Sequence, residues 1–350
     1  MRSTPTLLDA RAVPAYAPTR FQLWLEGMLY DPRDAVLVRL MLKMVAFVLP
    51  LQVLLYVYFT PWLGAAYLAL VVGWLSPPVI LALHNTMHRP LFKRRPFLNR
   101  AHPYAMTALF GIPAGYAEHH VGMHHVENNL AGDLSSTMTY ERDNVGHFLL
   151  YFGRFMAFSL FNTPAYLFSK KRTRLAWRAV VSETAHVALM VGLSFVNWRA
   201  TLVAFVLPYL LVRLAQMIGN WGQHAFIDPR QPGSSYLNSI TCINSGYNKR
   251  CFNDGYHIGH HVKQNRHWTE LPADFDANRE RYAREGSVVF EKLDFFVVSL
   301  LLFARRYDVL AKCYVNLSDK EMTQDEIIAH LKSRTRPIAV AADQAVAFAG

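Results

Sequence analysis

The chain has 350 residues, 52% of them hydrophobic, and a formal net charge of +11 at pH 7. The length allows one large domain or two small ones, and the apolar share is high for a soluble protein. The positive excess flanks apolar runs and does not form a nucleic-acid patch, and three cysteines, Cys242, Cys251 and Cys313, form no disulfide framework. The composition therefore speaks against a nucleic-acid binder and a disulfide-stapled secreted domain, and it favours a reduced, cytoplasm-facing environment.

In chain order, Met1–Arg20 has no long apolar core and is not expected to be a signal peptide. Met44–Phe59 is apolar except for Gln52; after a break at Thr60 and Pro61, Trp62–Leu83 is apolar again. Each run approaches or reaches the roughly 20 residues that a crossing helix needs. The pair reads as a hairpin with a short outer turn, where Tyr58 and Trp62 suit the interface. Lys93, Arg94, Arg95 and Arg100 follow it. The shorter runs Tyr104–Ala117 and Phe148–Phe168 contain Pro113, Pro164 and Arg154 and are expected on the membrane surface. Lys170, Lys171, Arg172, Arg174 and Arg178 then precede a second apolar pair, Ala179–Val196 and Ala200–Gly219, with Asn197–Arg199 as its turn. The basic clusters place both long connections and both termini in the cytoplasm. Phe295–Phe303 reads as another surface helix, and SDKEMTQDEIIAHL predicts a short helix starting at Ser318 or Thr323. The expected fold is an all-α integral membrane protein, with four transmembrane helices in two hairpins and a cytosolic helical cap holding a histidine-rich di-metal site. Residues 1–35 are expected as a cytosolic N-terminal segment and 318–350 as a short polar tail.

Histidines fall in three tight groups: His84 and His88 in HNTMH, His120, His124 and His125 in HHVGMHH, and His257, His260 and His261 in YHIGHH. His224 follows the second apolar pair in NWGQHAF. An even number of crossings would bring all nine rings to one face. On an α-helix, positions four apart share a face, so His84 with His88 and His120 with His124 are each expected to hold one ion. His257, His260 and His261 also share a face, and His125, turned by about 100° from His124, would reach a second ion. Nine nitrogens exceed one coordination sphere and suit two metals of four or five ligands. HNTMH lacks the glutamate of the H-E-x-x-H zinc-protease motif, and imidazole suits iron. His102, His147, His186, His267 and His330 read as ordinary core or surface rings.

The order and spacing H-x3-H, H-x3-H-H and H-x2-H-H, with Gln223-His224 as an additional box, resemble the membrane fatty acid desaturase and hydroxylase superfamily. The resemblance spans roughly Val36 to Phe303 and marks residues 36–317 as a desaturase-like membrane catalytic domain. It implies a non-haem centre of two iron ions held by His84, His88, His120, His124, His125, His224, His257, His260 and His261. His119 offers an alternative spacing in the second box. His119, Asn220, Asn253 and Asp254 are candidates to support the ligands from behind, and Glu118 and Glu127 are further candidates to accept an imidazole proton.

The resemblance implies an oxidoreductase using O2 on a fatty acid, acyl-lipid or acyl-thioester. Desaturation to a C=C bond is the leading expectation; hydroxylation, or decarboxylation to a terminal alkene, is the alternative. Lys249, Arg250, Lys263 and Arg266 flank the third box and are candidate head-group contacts. No dinucleotide fingerprint, C-x2-C cluster or His-Pro-Gly-Gly haem motif is present. Electrons are therefore expected from an external ferredoxin, rubredoxin or cytochrome b5 with its reductase, docked on the basic surface. The other expected partner is the lipid bilayer, with no nucleic acid.

Overall fold

The computed structural model describes residues 5–14 and 19–339. The described chain is helical apart from isolated bridges and one parallel pair of four-residue strands, Ile240–Ile243 and Val288–Glu291, in which Ile240 lies opposite Val288. It forms two compact units, each assembled from separated stretches of sequence.

The first unit comprises Val13–Val121 and Leu167–Leu214. Its helix Ala35–Val57 buries Val38, Met41, Val48, Gln52 and Leu55, the spacing of one helical face. Its other faces expose Leu42, Phe47, Leu49 and Val53, as a lipid-facing helix does. Gln52 is the polar exception inside, and its amide is satisfied: Nε2 donates to Tyr67 Oη at 3.0 Å and to the Leu109 carbonyl at 3.2 Å. Thr60 caps the next helix by accepting from the Leu63 N–H at 3.2 Å, with Pro61 at its first position. The chain widens into a π-helix at Ala69–Leu75, where Ser76 Oγ donates back to the Val71 carbonyl at 2.8 Å. Pro77 and Pro78, which have no N–H to give, sit in the first turn of the helix Ser76–Met87 that follows.

Among the described residues three helices, not the expected four, are long and apolar enough to cross a membrane: Pro32–Val57, Pro61–Met87 and Thr173–Gln223. These mark a multi-pass membrane protein, and the first two are the first expected pair. The second expected pair instead falls within one continuous candidate stretch of 51 residues, helical on both sides of a kink. The Asn-Trp-Arg sequence that reads as a turn is a break inside this span, with Asn197 alone leaving helical geometry at φ −157° and ψ 97°. Asn197 starts the helix that follows. Its Oδ1 accepts from the Ala200 N–H at 3.1 Å, and its carbonyl accepts from the Thr201 hydroxyl at 2.9 Å. A two-hairpin arrangement is thus not shown, and the even crossing count that carried the histidines to one face falls with it.

The second unit comprises Met1–Ala12, Gly122–Tyr166 and Ala215–Gly350. Its core packs the strand pair against the helices Phe295–Phe303, Tyr307–Cys313 and Gln324–Ser333 through Phe226, Ile240, Phe290, Val298, Leu310 and Leu331. The last of these helices starts where the sequence predicts, on a Thr323–Glu326 capping box. Arg142 is fully buried and donates to six carbonyls. Nε reaches Ala225 at 2.8 Å; Nη1 reaches Thr137, Met138 and Tyr140 at 3.1, 3.0 and 3.0 Å; Nη2 reaches Arg334 and Arg336 at 2.9 and 2.6 Å. No other side chain has enough donors in a fixed fork for this task.

Arg142→Met keeps the bulk but strands those carbonyls. It is expected to destabilise the second unit by about 3 kcal/mol or more. Thermal unfolding of detergent-solubilised protein should show a clear drop in apparent Tm, against little change for Arg336→Gln at the exposed rim.

Candidate metal centre

Each histidine group is delivered by a local feature of the backbone. In the first unit, the helix Ser76–Met87 carries His84 on its last turn and ends at His88. The ring centroids of these two residues are 5.2 Å apart. His120 completes a trio, with its ring 4.5 Å from His84 and 5.2 Å from His88. The helix Tyr116–His119 leads into π-helical backbone at His120–His124. A π-helix closes i to i+5, so residues four apart no longer stand on one face. This overturns the expected pairing of His120 with His124, whose rings enter separate groups.

In the second unit, His124, His224, His257 and His261 form a buried four-ring cluster whose ligand nitrogens all lie within 4.8 Å of one another. His257 Nε2 stands 3.3 Å from His224 Nε2 and 3.0 Å from His261 Nε2. Two imidazole nitrogens bound to one ion at about 2.1 Å would stand roughly 3 Å apart, so this spacing fits a shared metal. The outward nitrogens fix the rings. His124 Nδ1–H donates to Asp133 Oδ2 at 2.6 Å, His224 Nδ1–H to the Asn238 carbonyl at 2.7 Å, and His261 Nδ1–H to Asn128 Oδ1 at 3.0 Å. A ring that donates from Nδ1 keeps a lone pair at Nε2, the tautomer a metal requires. Burial, reinforced by the neighbouring rings, pushes His257 well below the usual histidine range. Burial likewise takes His224 down to about 3, with the His124 ring adding to the effect. Neutral imidazoles without thiolates form a donor set that suits iron, copper or zinc. His125 and His260 form a further pair in this unit, Nε2 to Nε2 at 3.0 Å.

The loop behind the second box explains why His124 and His261 are held. Asn128 and Asn129 both take left-handed backbone, φ 50° and 60°, which asparagine tolerates better than most residues. This ends the box helix and turns the chain back. Asn129 Oδ1 then accepts from the Thr137 N–H at 2.9 Å, and Thr137 Oγ1 donates to the His224 carbonyl at 2.7 Å. Asp133 is held ready by Ser135, whose N–H and hydroxyl both donate to its Oδ1. The third box depends on Gly255. A Cβ there would lie 2.3 Å from Asn248 Oδ1 and from the Cys242 carbonyl, so only glycine lets the chain pass into His257–Val262.

Asp133, Asn128 and the Asn238 carbonyl are supports that sequence reasoning missed. The paired asparagines after the second box were the one available signal. Of the residues singled out in the sequence, Asn220 donates to the Ser135 carbonyl at 2.9 Å and so braces the Asp133 loop. Asn253 donates to the carbonyls of Ala10 and Trp268, and Asp254 accepts from Tyr247 Oη at 3.0 Å. Glu118 accepts from Tyr104 Oη at 2.9 Å, and Glu127 accepts from Tyr166. His119 ends the helix before the π-helical stretch and belongs to neither metal-suited group. Arg266 is engaged with Asp274 at 2.7 Å and the Gly259 carbonyl at 3.1 Å, Lys263 caps the third-box helix, and Lys249 and Arg250 end the helix Gly246–Arg250.

The arrangement is that of a histidine-box metal oxidase in a membrane protein. The fatty acid desaturase family model matches residues 60–292, two thirds of the chain and all nine box histidines, and the protein belongs to that family. No curated protein and no solved structure matches the chain.

Asp133→Asn keeps the shape of the support but weakens its hold on the imidazole proton. Metal affinity of the four-ring cluster is expected to fall about ten- to a hundredfold. Metal retained per chain across a chelator series measures this, with Asp254→Asn as the comparison.

Proposed function

We propose that the protein is an O2-dependent desaturase of a fatty acyl chain, using two iron ions and electrons from a separate redox protein. The four-ring cluster, with three rings tied outward through Nδ1 and their Nε2 atoms facing inward, carries this reading. His124, His224, His257 and His261 hold one ion. Family membership leaves the remaining box histidines, His84, His88, His120, His125 and His260, as the candidates for the other. Bound iron would supply O2 reduction and removal of hydrogen from an unactivated C–H bond. The protein's own residues hold neutral imidazoles in place, exclude bulk water by burial and fix the tautomers through Asp133, Asn128 and Asn238. The overall change balances when a CH2–CH2 unit, O2, two electrons and two protons give a C=C bond and two waters. A ferredoxin, rubredoxin or cytochrome b5 with its reductase fits the electron supply, and a basic surface favours docking of such acidic partners.

One observation favours a second outcome on the same centre. A cavity of the first unit has both His88 and several arginines in its wall. A substrate carboxylate held there would place the head end of the chain near the histidines. Hydrogen removal close to the carboxyl, with loss of CO2, then gives a terminal alkene.

Protein made in iron-replete medium is expected to carry about two irons per chain by elemental analysis and Mössbauer spectroscopy. Gas chromatography of lipids and headspace from an expressing strain reads the product: internal double bonds for desaturation, volatile alkenes for the second outcome. His257→Ala should abolish product at an unchanged membrane level, while His330→Ala on the distal helix Gln324–Ser333 should leave it intact. Stoichiometric zinc with activity retained would sink the iron assignment.

A further inference from the structure

The third box sits on a helix of six residues, His257–Val262, with no side-chain cap from Tyr256 before it. A helix this short cannot fix its own position, so its placement comes from what grips its entry. The chain reaches Tyr256 through a loop in which Asn244, Phe252 and Asn253 all take left-handed backbone, φ 55°, 54° and 54°. Asn248 ties part of this loop together. Its Nδ2 donates to the Cys242 carbonyl at 2.9 Å, and its Oδ1 accepts from the Gly255 N–H at 2.9 Å. The remaining ties come from the other end of the chain.

Residues 5–12 belong to the same compact unit as the third box. They carry no long apolar run, yet they lie along this loop as a strap. Asp9 is 4% exposed, and its Oδ2 accepts from the Asn244 N–H at 2.7 Å, from Asn248 Nδ2 at 3.1 Å and from Tyr256 Oη at 2.7 Å. These donors stand at the start, the middle and the end of the loop, and the last is the residue before His257. The backbone of the strap is held as well. The Leu8 N–H donates to Asn244 Oδ1 at 2.7 Å, Asn244 Nδ2 to the Thr6 carbonyl at 2.9 Å, and Asn253 Nδ2 to the Ala10 carbonyl at 2.7 Å. Chain termini are ordinarily held loosely, and a buried carboxylate is costly unless donors surround it. Here the three donors all belong to the segment that delivers the third box.

We propose that Asp9 is a positioning residue for the third histidine box, and that the N-terminal strap locks Tyr256, and through it His257, in the place a metal requires. The inference rests on the metal-centre reading above for what the box does; the locking itself does not depend on it. One carboxylate oxygen joins three points of the loop, so loss of Asp9 frees all three at once. Loss of the Tyr256 hydroxyl frees only the last.

The test uses full-length protein in nanodiscs and reads the box with and without metal. Hydrogen exchange of the metal-free protein, followed by mass spectrometry, reports how firmly residues 253–262 are held. Cobalt(II) is then loaded as the metal probe. Its visible absorption reports ligand geometry, and its transfer to a chelator reports retention. D9A is expected to speed both the exchange of that segment and the release of cobalt about tenfold or more, with an altered cobalt spectrum. Y256F keeps the ring and should give a smaller change of the same sign, about fivefold. The double variant should release cobalt within about twofold of D9A alone, since both changes act through one contact. D9N retains an acceptor and should fall between D9A and wild type. R11Q, in the same strap but at an exposed ion pair with Asp276, is the control and should match wild type. Exchange of the helices Tyr307–Cys313 and Gln324–Ser333 shows whether the unit stays folded in D9A; where it does not, Y256F carries the test. Unchanged exchange of residues 253–262 in D9A overturns the proposal, as do an unchanged cobalt spectrum and retention in D9A and Y256F. A wild-type protein that takes up no metal but shows the exchange response would support the strap and refute the oxidase reading.

Discussion

An imidazole can serve a metal only if one of its two nitrogens presents a lone pair, and much of the second unit follows from that constraint. A ring free to rotate or to exchange tautomers would bind an ion weakly, so the second nitrogen must be tied down. Asp133, Asn128 and the Asn238 carbonyl provide the ties for three of the four clustered rings. Each tie must in turn be fixed, which accounts for the left-handed asparagine pair, the Ser135 bonds to Asp133, and the Thr137 bond to the His224 carbonyl. The depression of His224 and His257 has the same origin. Burial disfavours the charged form of both rings, and the neighbouring imidazoles add to the effect.

The membrane unit meets a related demand with different residues. An apolar span with polar interruptions is stable only when those groups find partners inside the protein. Gln52 finds Tyr67 and the Leu109 carbonyl. Glu183 accepts from the Gly115 N–H at 2.9 Å, from Arg213 at 2.9 Å and from Tyr209 at 3.3 Å. Gly115 begins the turn that leads to the second box, so this buried ion pair also fixes where His120 emerges. The Asn197 break is handled in the same way, through its own amide and the Thr201 hydroxyl.

The sequence disclosed residue type and rhythm and left backbone departures hidden. The histidine boxes, the first pair of spans and the Thr323 cap were legible because each is a spacing rule over neighbouring residues. The separation of His120 from His124 was not, since the two residues look α-helical in spacing and only the π-helical turn parts them. The fourth span failed for a like reason: Asn-Trp-Arg has the composition of a turn, yet the departure from helix is confined to Asn197, whose side chain starts the next helix at once. Asp133 lies in an unremarkable loop, and its role arises from a fold-back nine residues long. The arginines of the cavity were visible as a basic cluster, but the cavity they open onto comes from segments some 70 residues apart in the chain.

Arg142 has a consequence for how the protein is made. Its guanidinium spans carbonyls of the second-box loop, of Ala225 just past His224, and of Arg334 and Arg336 near the C-terminus. A chain emerging from the ribosome folds from its N-terminal side first. Throughout synthesis Arg142 therefore waits with two of its acceptors still inside the translation machinery. The loop bearing Asp133 is completed only when the segment at Arg334, 192 positions beyond Arg142, has emerged. The support behind the four-ring cluster is thereby assembled late, from stretches laid down far apart, and a chain that stops short of residue 334 lacks two of the six acceptors that hold Arg142.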